Sequence, residues 1–199
     1  MRLVVAMTGA SGAVLGIRLL ERLRDVPSVE THLVMSRWAR QTIRLEGTRT
    51  ASEVALLADY VYHPEDQAAP ISSGSFLTDG MVVVPCSMKT LAGIRAGYGD
   101  GLISRAADVT LKERRKLVLV VRETPLSEIH LENMLSLARM GVSILPPVPA
   151  FYAMPSTIEE MVDNFLARVL DQFGVAVPGT RRWAGAEPAA DLIKQAEAC

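Results

Sequence analysis

Hydroxyl groups crowd two turns of this sequence. "MTGASGAVLG", residues 7–16, follows the apolar run 3–6 and sets Thr8, Gly9, Ala10, Ser11 and Gly12 where a strand hands over to a helix. "PCSMKT", residues 85–90, follows "MVVV" and again opens a helix, with Ser87 and Thr90 placed to donate and Lys89 beside them. Backbone N–H groups at a helix start are unpaired and the helix dipole favours an anion there, so each turn could hold a phosphate. Neither G-x-G-x-x-G nor the P-loop pattern fits the first turn. The end of the second strand carries Ser36 and Arg37 rather than the acid that a dinucleotide ribose would want. A monophosphate or a sugar alcohol suits these donors better; a tight turn with an N-cap is the plain alternative.

A charged set follows in "ISRAADVTLKERRKLVLVVRETP": Arg105, Lys112, Arg122 and Glu123. Arg105 and Lys112 are seven apart and share one helix face. Arg122 and Glu123 stand at the carboxyl end of the most hydrophobic strand, where ligands of α/β proteins gather. Both sets have plain readings too: residues 112–116 as a solvated helix end, Arg122 and Glu123 as a structural ion pair. Cys86 lacks a partner base in the local sequence, His130 opens a helix, and His32 and His63 lack metal-ligand spacing.

The elements that must position these groups alternate along the chain. Strands are expected at 3–7, 31–35, 80–85, 116–123 and 141–147, and helices at 13–24, 37–45, 51–58, 88–96, 102–114, 127–139 and 157–173. Such alternation predicts an α/β three-layer sandwich around a mostly parallel sheet, flavodoxin-like or Rossmann-like, in one domain over 1–183 with a tail at 184–199. A chain of 199 residues, 49% hydrophobic, can bury such a core. The net charge of −1 gives no field toward nucleic acid or anionic lipid. No apolar run reaches the ~18–20 residues of a membrane span, and the N-terminus has no signal-peptide layout. Two cysteines make no disulfide framework. The expectation is a cytoplasmic protein that binds neither nucleic acid nor membrane.

Taken together, "AMTGASGAVLGIRLL", "PCSMKTLA", "RAADVTLKERRKLVLVVRETPLSEIHLENML", "ILPPVPAFY" and "DQFG" resemble the UbiX-type flavin prenyltransferases, above all the branch associated with phenolic-acid decarboxylases. The resemblance runs from about residue 2 to Trp183, and the long stretch around "RETP" carries most of its specificity. It implies a homododecamer with sites at subunit junctions. It also implies a reaction: reduced FMN takes a dimethylallyl group from dimethylallyl monophosphate at N5 and C6, and the prenylated FMN serves a UbiD-type decarboxylase. No metal is implied.

Carried over by position, Gly9, Ala10, Ser11, Ser36, Ser87, Met88, Lys89, Thr90 and Arg122 should contact FMN, and Trp183 should cover the site. Tyr152 and Arg168 should hold the prenyl phosphate. Arg105 and Lys112 should complete its basic pocket, with a neighbouring copy of the chain left open as their source. Glu123 is the implied acid/base, with Glu46 as a second carboxylate and Ser11 beside them at the reaction centre. Two other readings stand: a flavin-dependent cysteine decarboxylase, which would usually show a "PASANT"-like stretch in place of "PCSMKT", and a non-catalytic FMN-binding subunit.

Overall fold

The computed structural model describes residues 1–47, 49–176, 179, 180, 182, 183 and 185. The expected tail at 184–199 lies outside the described residues, except for Gly185. The elements are β1 (Arg2–Met7), α1 (Ala13–Arg24), β2 (Glu30–Met35), α2 (Arg37–Glu46), α3 (Ala51–Ala55), β3 (Tyr60–Tyr62), β4 (Gly80–Cys86), α4 (Met88–Ala96), α5 (Leu102–Lys112), β5 (Lys116–Val121), α6 (Glu128–Arg139), β6 (Ser143–Ile144) and α7 (Ile158–Asp171). Single 3-10 turns cover Pro70–Ser72 and Phe151–Ala153. Among the described residues no helix is long and apolar enough to cross a membrane.

The strands form one sheet in the order β3-β2-β1-β4-β5-β6, and every pairing is parallel. A sheet buried on both faces needs continuous apolar strands, and "LVVAM", "MVVV" and "LVLVV" supply them. Alternate residues then face opposite ways. Leu3, Val5, Met7, Val82 and Val118 pack under α1 and α7 with Leu19, Leu23, Phe165 and Leu170. Val4, Ala6, Val83 and Leu119 pack under α4 and α5 with Leu91, Leu102 and Ala106. Three layers result. From β1 the chain winds outward one way, and from β4 the other, so a crevice opens at the carboxyl ends of these two strands.

Several boundaries differ from the sequence expectation. β3 is an added edge strand of three residues with Tyr60 and Val61 exposed, too short to show an alternation. β6 shrinks to two residues because Pro146 and Pro147, lacking N–H groups, cannot continue a ladder. β5 stops at Val121, which leaves Arg122 and Glu123 free of the sheet, just past its carboxyl edge. α5 stops at Lys112, and Arg114 turns the chain with a left-handed φ of 56°.

Candidate active site

The first turn is built by close approach. A Cβ on Gly9 would fall onto Trp38, so only glycine lets the end of β1 lie against the start of α2. Gly12 caps α1 in the left-handed region with φ 99°. The Gly12 and Ala13 amides, which sequence reasoning leaves open for a phosphate, donate to the Glu46 carboxylate at 2.8 and 3.0 Å. The dipole end of α1 thus already holds an anion belonging to the chain. Burial alone would raise the Glu46 pKa. The Ser11 hydroxyl, the Ala13 and Gly12 amides and the nearby Arg122 charge outweigh burial, and hold the carboxyl below the usual carboxylate range. Glu46 is therefore ionised at neutral pH.

Three strand ends meet beside this carboxylate. Ser36, after β2, donates its amide to Met7 O at 3.0 Å and accepts from Ala39 N at 3.0 Å as the cap of α2. Ser87, after β4, caps α4, and its Oγ lies 3.1 Å from Thr90 Oγ1. Thr8 joins the two sides: its hydroxyl donates to Pro85 O at 2.7 Å and accepts from Ser87 N at 2.9 Å. A cavity of about 590 Å³ opens between them, lined by Gly9, Ser36, Arg37, Trp38, Ser87, Lys89 and Thr90, with Tyr98, Asp100 and Ser104 on the far wall. Trp38 and Tyr98 carry no mark in the sequence; exposed aromatics beside a small-residue turn have no periodic signal. Met88 packs against the core under α4 and does not line the cavity.

Next along the same edge stand Arg122 and Glu123. The Arg122 amide donates to Cys86 O at 3.1 Å, and both side chains are exposed. They form no ion pair with each other; Glu123 Oε1 accepts from Thr124 N at 3.0 Å instead. Cys86 is fully buried and desolvation pushes its thiol up to about 12, so it is no thiolate nucleophile at neutral pH. His130 closes a capping box with Ser127 at the start of α6. Among the described residues no cluster of three or more His, Cys, Asp or Glu could hold a metal ion.

The remaining candidates lie elsewhere in the single chain. Arg105 donates to Ser72 O at 3.1 Å and to Asp108 at 2.6 Å, outside the cavity that Ile103 and Ser104 line. Lys112, the last residue of α5, pairs with Glu113 at the opposite, amino end of the sheet. Arg168 pairs with Asp171 at 2.6 Å, and Asp171 also binds Arg182. Tyr152 meets Trp183 edge-on, with ring centroids 5.7 Å apart. None of these residues lines the cavity.

Comparison with known proteins bears on what this edge holds. Residues 1–170 match the family described as Flavoprotein. A probable UbiX-like flavin prenyltransferase of Streptomyces sp. (strain D7) is 68% identical over 185 residues, 93% of this chain and 92% of that protein. The chain belongs to the Flavoprotein family, in its UbiX-like branch. A dodecameric FMN-dependent UbiX-like decarboxylase from Escherichia coli O157:H7 superposes on this flavoprotein with a TM-score of 0.92 at 66% identity, covering 93% of this chain and 100% of that one. AnUbiX (PadA1), solved in complex with FMN and dimethylallyl pyrophosphate, has a TM-score of 0.91 at 60% identity, over 94% of this chain and 98% of its own.

The flavoprotein's cavity fits a flavin mononucleotide on its own chemistry. Hydroxyls from Ser36, Ser87 and Thr90 and the cations Arg37 and Lys89 line it, alongside the carboxylates Glu65 and Asp100, and those hydroxyls and cations suit a dianionic phosphate. Its volume of about 590 Å³ is that of a small-ligand site. Outside the cavity lining, at the same carboxyl edge, stand the ionised Glu46, with the Arg122 charge nearby, and Glu123.

Proposed function

We propose that this flavoprotein joins the dimethylallyl group of dimethylallyl monophosphate to N5 and C6 of reduced FMN. The observation that carries the reading is the join of two unlike sites at one sheet edge. One is the cavity of about 590 Å³ lined by hydroxyls and cations; the other is the Glu46 carboxylate with the Arg122 charge nearby, Arg122 being followed directly by Glu123. The binding of FMN and dimethylallyl pyrophosphate by AnUbiX supports it. FMN is held through Gly9, Ala10, Ser11, Ser36, the 87–90 turn and Arg122.

In the reaction the C–O bond of the monophosphate breaks and the phosphate leaves with the electron pair. Cations prearranged away from water offset that charge as it develops. Arg122 is the nearest of them in this chain. Arg105, Lys112, Tyr152 and Arg168 join it, with a neighbouring copy supplying those that the single chain holds far away. The reduced flavin, when bound, supplies an electron-rich ring to meet the allylic carbon. Closing the second bond at C6 needs a proton on the alkene carbon of the transferred group and releases one from C6, and Glu123, beyond the strand end and free of an ion pair among the described residues, would exchange that proton. Glu46 stays ionised, holds the first turn through Gly12 and Ala13, and steadies the positive charge on the allylic fragment. Trp183 and the apolar wall of the junction exclude water that would otherwise trap that fragment.

The working form is a homo-oligomer, a dodecamer as in the Escherichia coli relative, located in the cytoplasm. Prenylated FMN passes from it to a UbiD-type decarboxylase. The test is to mix purified protein with reduced FMN and dimethylallyl monophosphate without oxygen and weigh the flavin by mass spectrometry. A five-carbon adduct is expected. An unchanged flavin mass contradicts the enzyme reading and leaves a non-catalytic FMN-binding subunit; decarboxylation of a cysteine peptide would favour the cysteine decarboxylase.

A further inference from the structure

Thr8 follows β1 directly and is only 3% exposed. The ladder between β1 and β4 pairs 3–6 with 80–83 and goes no further. Beyond it the β4–β5 register shifts between Val83 and Cys86. Strand pairing therefore stops short of both turns, and something else must set the distance between them. The Thr8 hydroxyl spans that gap, donating to Pro85 O at 2.7 Å and accepting from Ser87 N at 2.9 Å. The Thr8 amide adds a longer bond to the same carbonyl, 3.3 Å.

This arrangement spends the Ser87 amide on Thr8 and leaves the Ser87 hydroxyl for the cavity side. That hydroxyl lies 3.1 Å from Thr90 Oγ1 and accepts from Thr90 N at 3.4 Å, and both residues line the cavity with Gly9 and Ser36. Buried donors and acceptors rarely go unpaired, so moving the Ser87 turn would cost the desolvation of its N–H. The turn is locked.

We propose that Thr8 is a positioning residue for the flavin phosphate: its hydroxyl, itself at the cavity wall, fixes the span between the Gly9 and Ser36 backbone and the Ser87–Thr90 pair, so that one phosphate meets Ser36 and the Ser87–Thr90 hydroxyls together. The inference rests on the flavin reading above. Valine matches threonine in shape but neither donates nor accepts, so Thr8→Val removes the lock with little change of packing. Serine keeps the hydroxyl.

The experiment titrates FMN and riboflavin, which lacks the phosphate, into the wild-type, Thr8→Val and Thr8→Ser proteins, and records the phosphorus NMR position of bound FMN. Thr8→Val should weaken FMN about tenfold, as the loss of one buried hydrogen-bonded arrangement does, and riboflavin by less than about threefold on the same scale. The bound phosphate resonance should move. Thr8→Ser should restore both the affinity ratio and the resonance. Thr8→Ala carries the same expectation should the valine variant fold poorly. Equal losses for FMN and riboflavin, or no recovery with serine, would overturn the proposal. Flavin affinity is read without any isoprenoid, so failure of prenyl transfer and failure of this inference give separate results.

Discussion

At the amino edge of the sheet, charged side chains are tied to one another: Arg2 to Glu30, Lys112 to Glu113, Arg168 and Arg182 to Asp171. At the carboxyl edge, Arg37, Lys89 and Arg122 have no ion-pair partner among the described residues; Glu65 and Asp100 line the cavity with Arg37 and Lys89 without pairing to them, and Glu46, near Arg122, is turned onto backbone amides. Ion pairs between exposed groups contribute about 0–1 kcal/mol each, so the amino edge is a solvated surface whose charges cancel locally. The carboxyl edge keeps its cations uncancelled beside a cavity, which is the electrostatic condition for binding an anion. Lys112 and Arg168, which the resemblance assigns to the prenyl phosphate, sit in the cancelled set. The Lys112–Glu113 pair is exposed, and Arg168, itself exposed, shares the partly buried Asp171 with Arg182.

The largest effect that would break this comparison belongs to Arg122. Arg122→Ala removes the uncancelled cation closest to Glu46, and the rate of adduct formation should fall about a thousandfold, the scale of losing one preorganised charge contact. A loss below about tenfold on that scale, measured by anaerobic single turnover, would mean that this edge is not the charged centre. Glu123→Gln comes next. It keeps the shape and the acceptor for Thr124 but removes the base, so turnover should drop about a hundredfold with FMN still bound, as flavin absorbance after gel filtration would show.

A pH measurement sharpens the same contrast. The folded-state pKa of Glu46 is depressed, so its contribution to stability is complete above the ordinary carboxylate pKa and is lost as pH falls through the folded value. Thermal melts of the flavin-free protein over about pH 5 to 3 should show less dependence on pH in Glu46→Gln than in the wild type. Identical acid limbs would remove Glu46 from the cap of α1. The smallest effect is expected at the other edge. Arg2→Ala removes the exposed pair with Glu30 and the cation–π contact with Phe76 and should lower the melting temperature only slightly, with turnover unchanged. A large loss of turnover there would erase the distinction between the two edges.

Much of the fold is legible in the residues. Unbroken apolar runs such as "LVLVV" announce strands covered on both faces, and the glycine–hydroxyl turns mark where they hand over to helices. What stays hidden depends on contacts remote in sequence. The Thr8 hydroxyl reaches 77 residues ahead to Pro85, and no local pattern encodes that bond. Glu46 stands at the end of α2 and looks like a helix-terminal acid, yet it caps α1 across 34 residues. β3 has three residues and no apolar period. The α5 face shared by Arg105 and Lys112 is visible from their spacing, but the helix carries them toward opposite ends of the sheet, so a shared face does not mean a shared site within one chain.

If residues from another copy finish the phosphate-binding edge, variants at its two halves should complement one another. Co-expression of Lys112→Ala and Arg122→Ala chains under separate tags, followed by purification through both, tests it most directly. Each variant alone should form almost no prenylated FMN. In the mixed oligomer, sites that pair an intact Arg122 from one copy with an intact Lys112 from another should recover measurable turnover. Mixed oligomers as inactive as either parent would contradict the account.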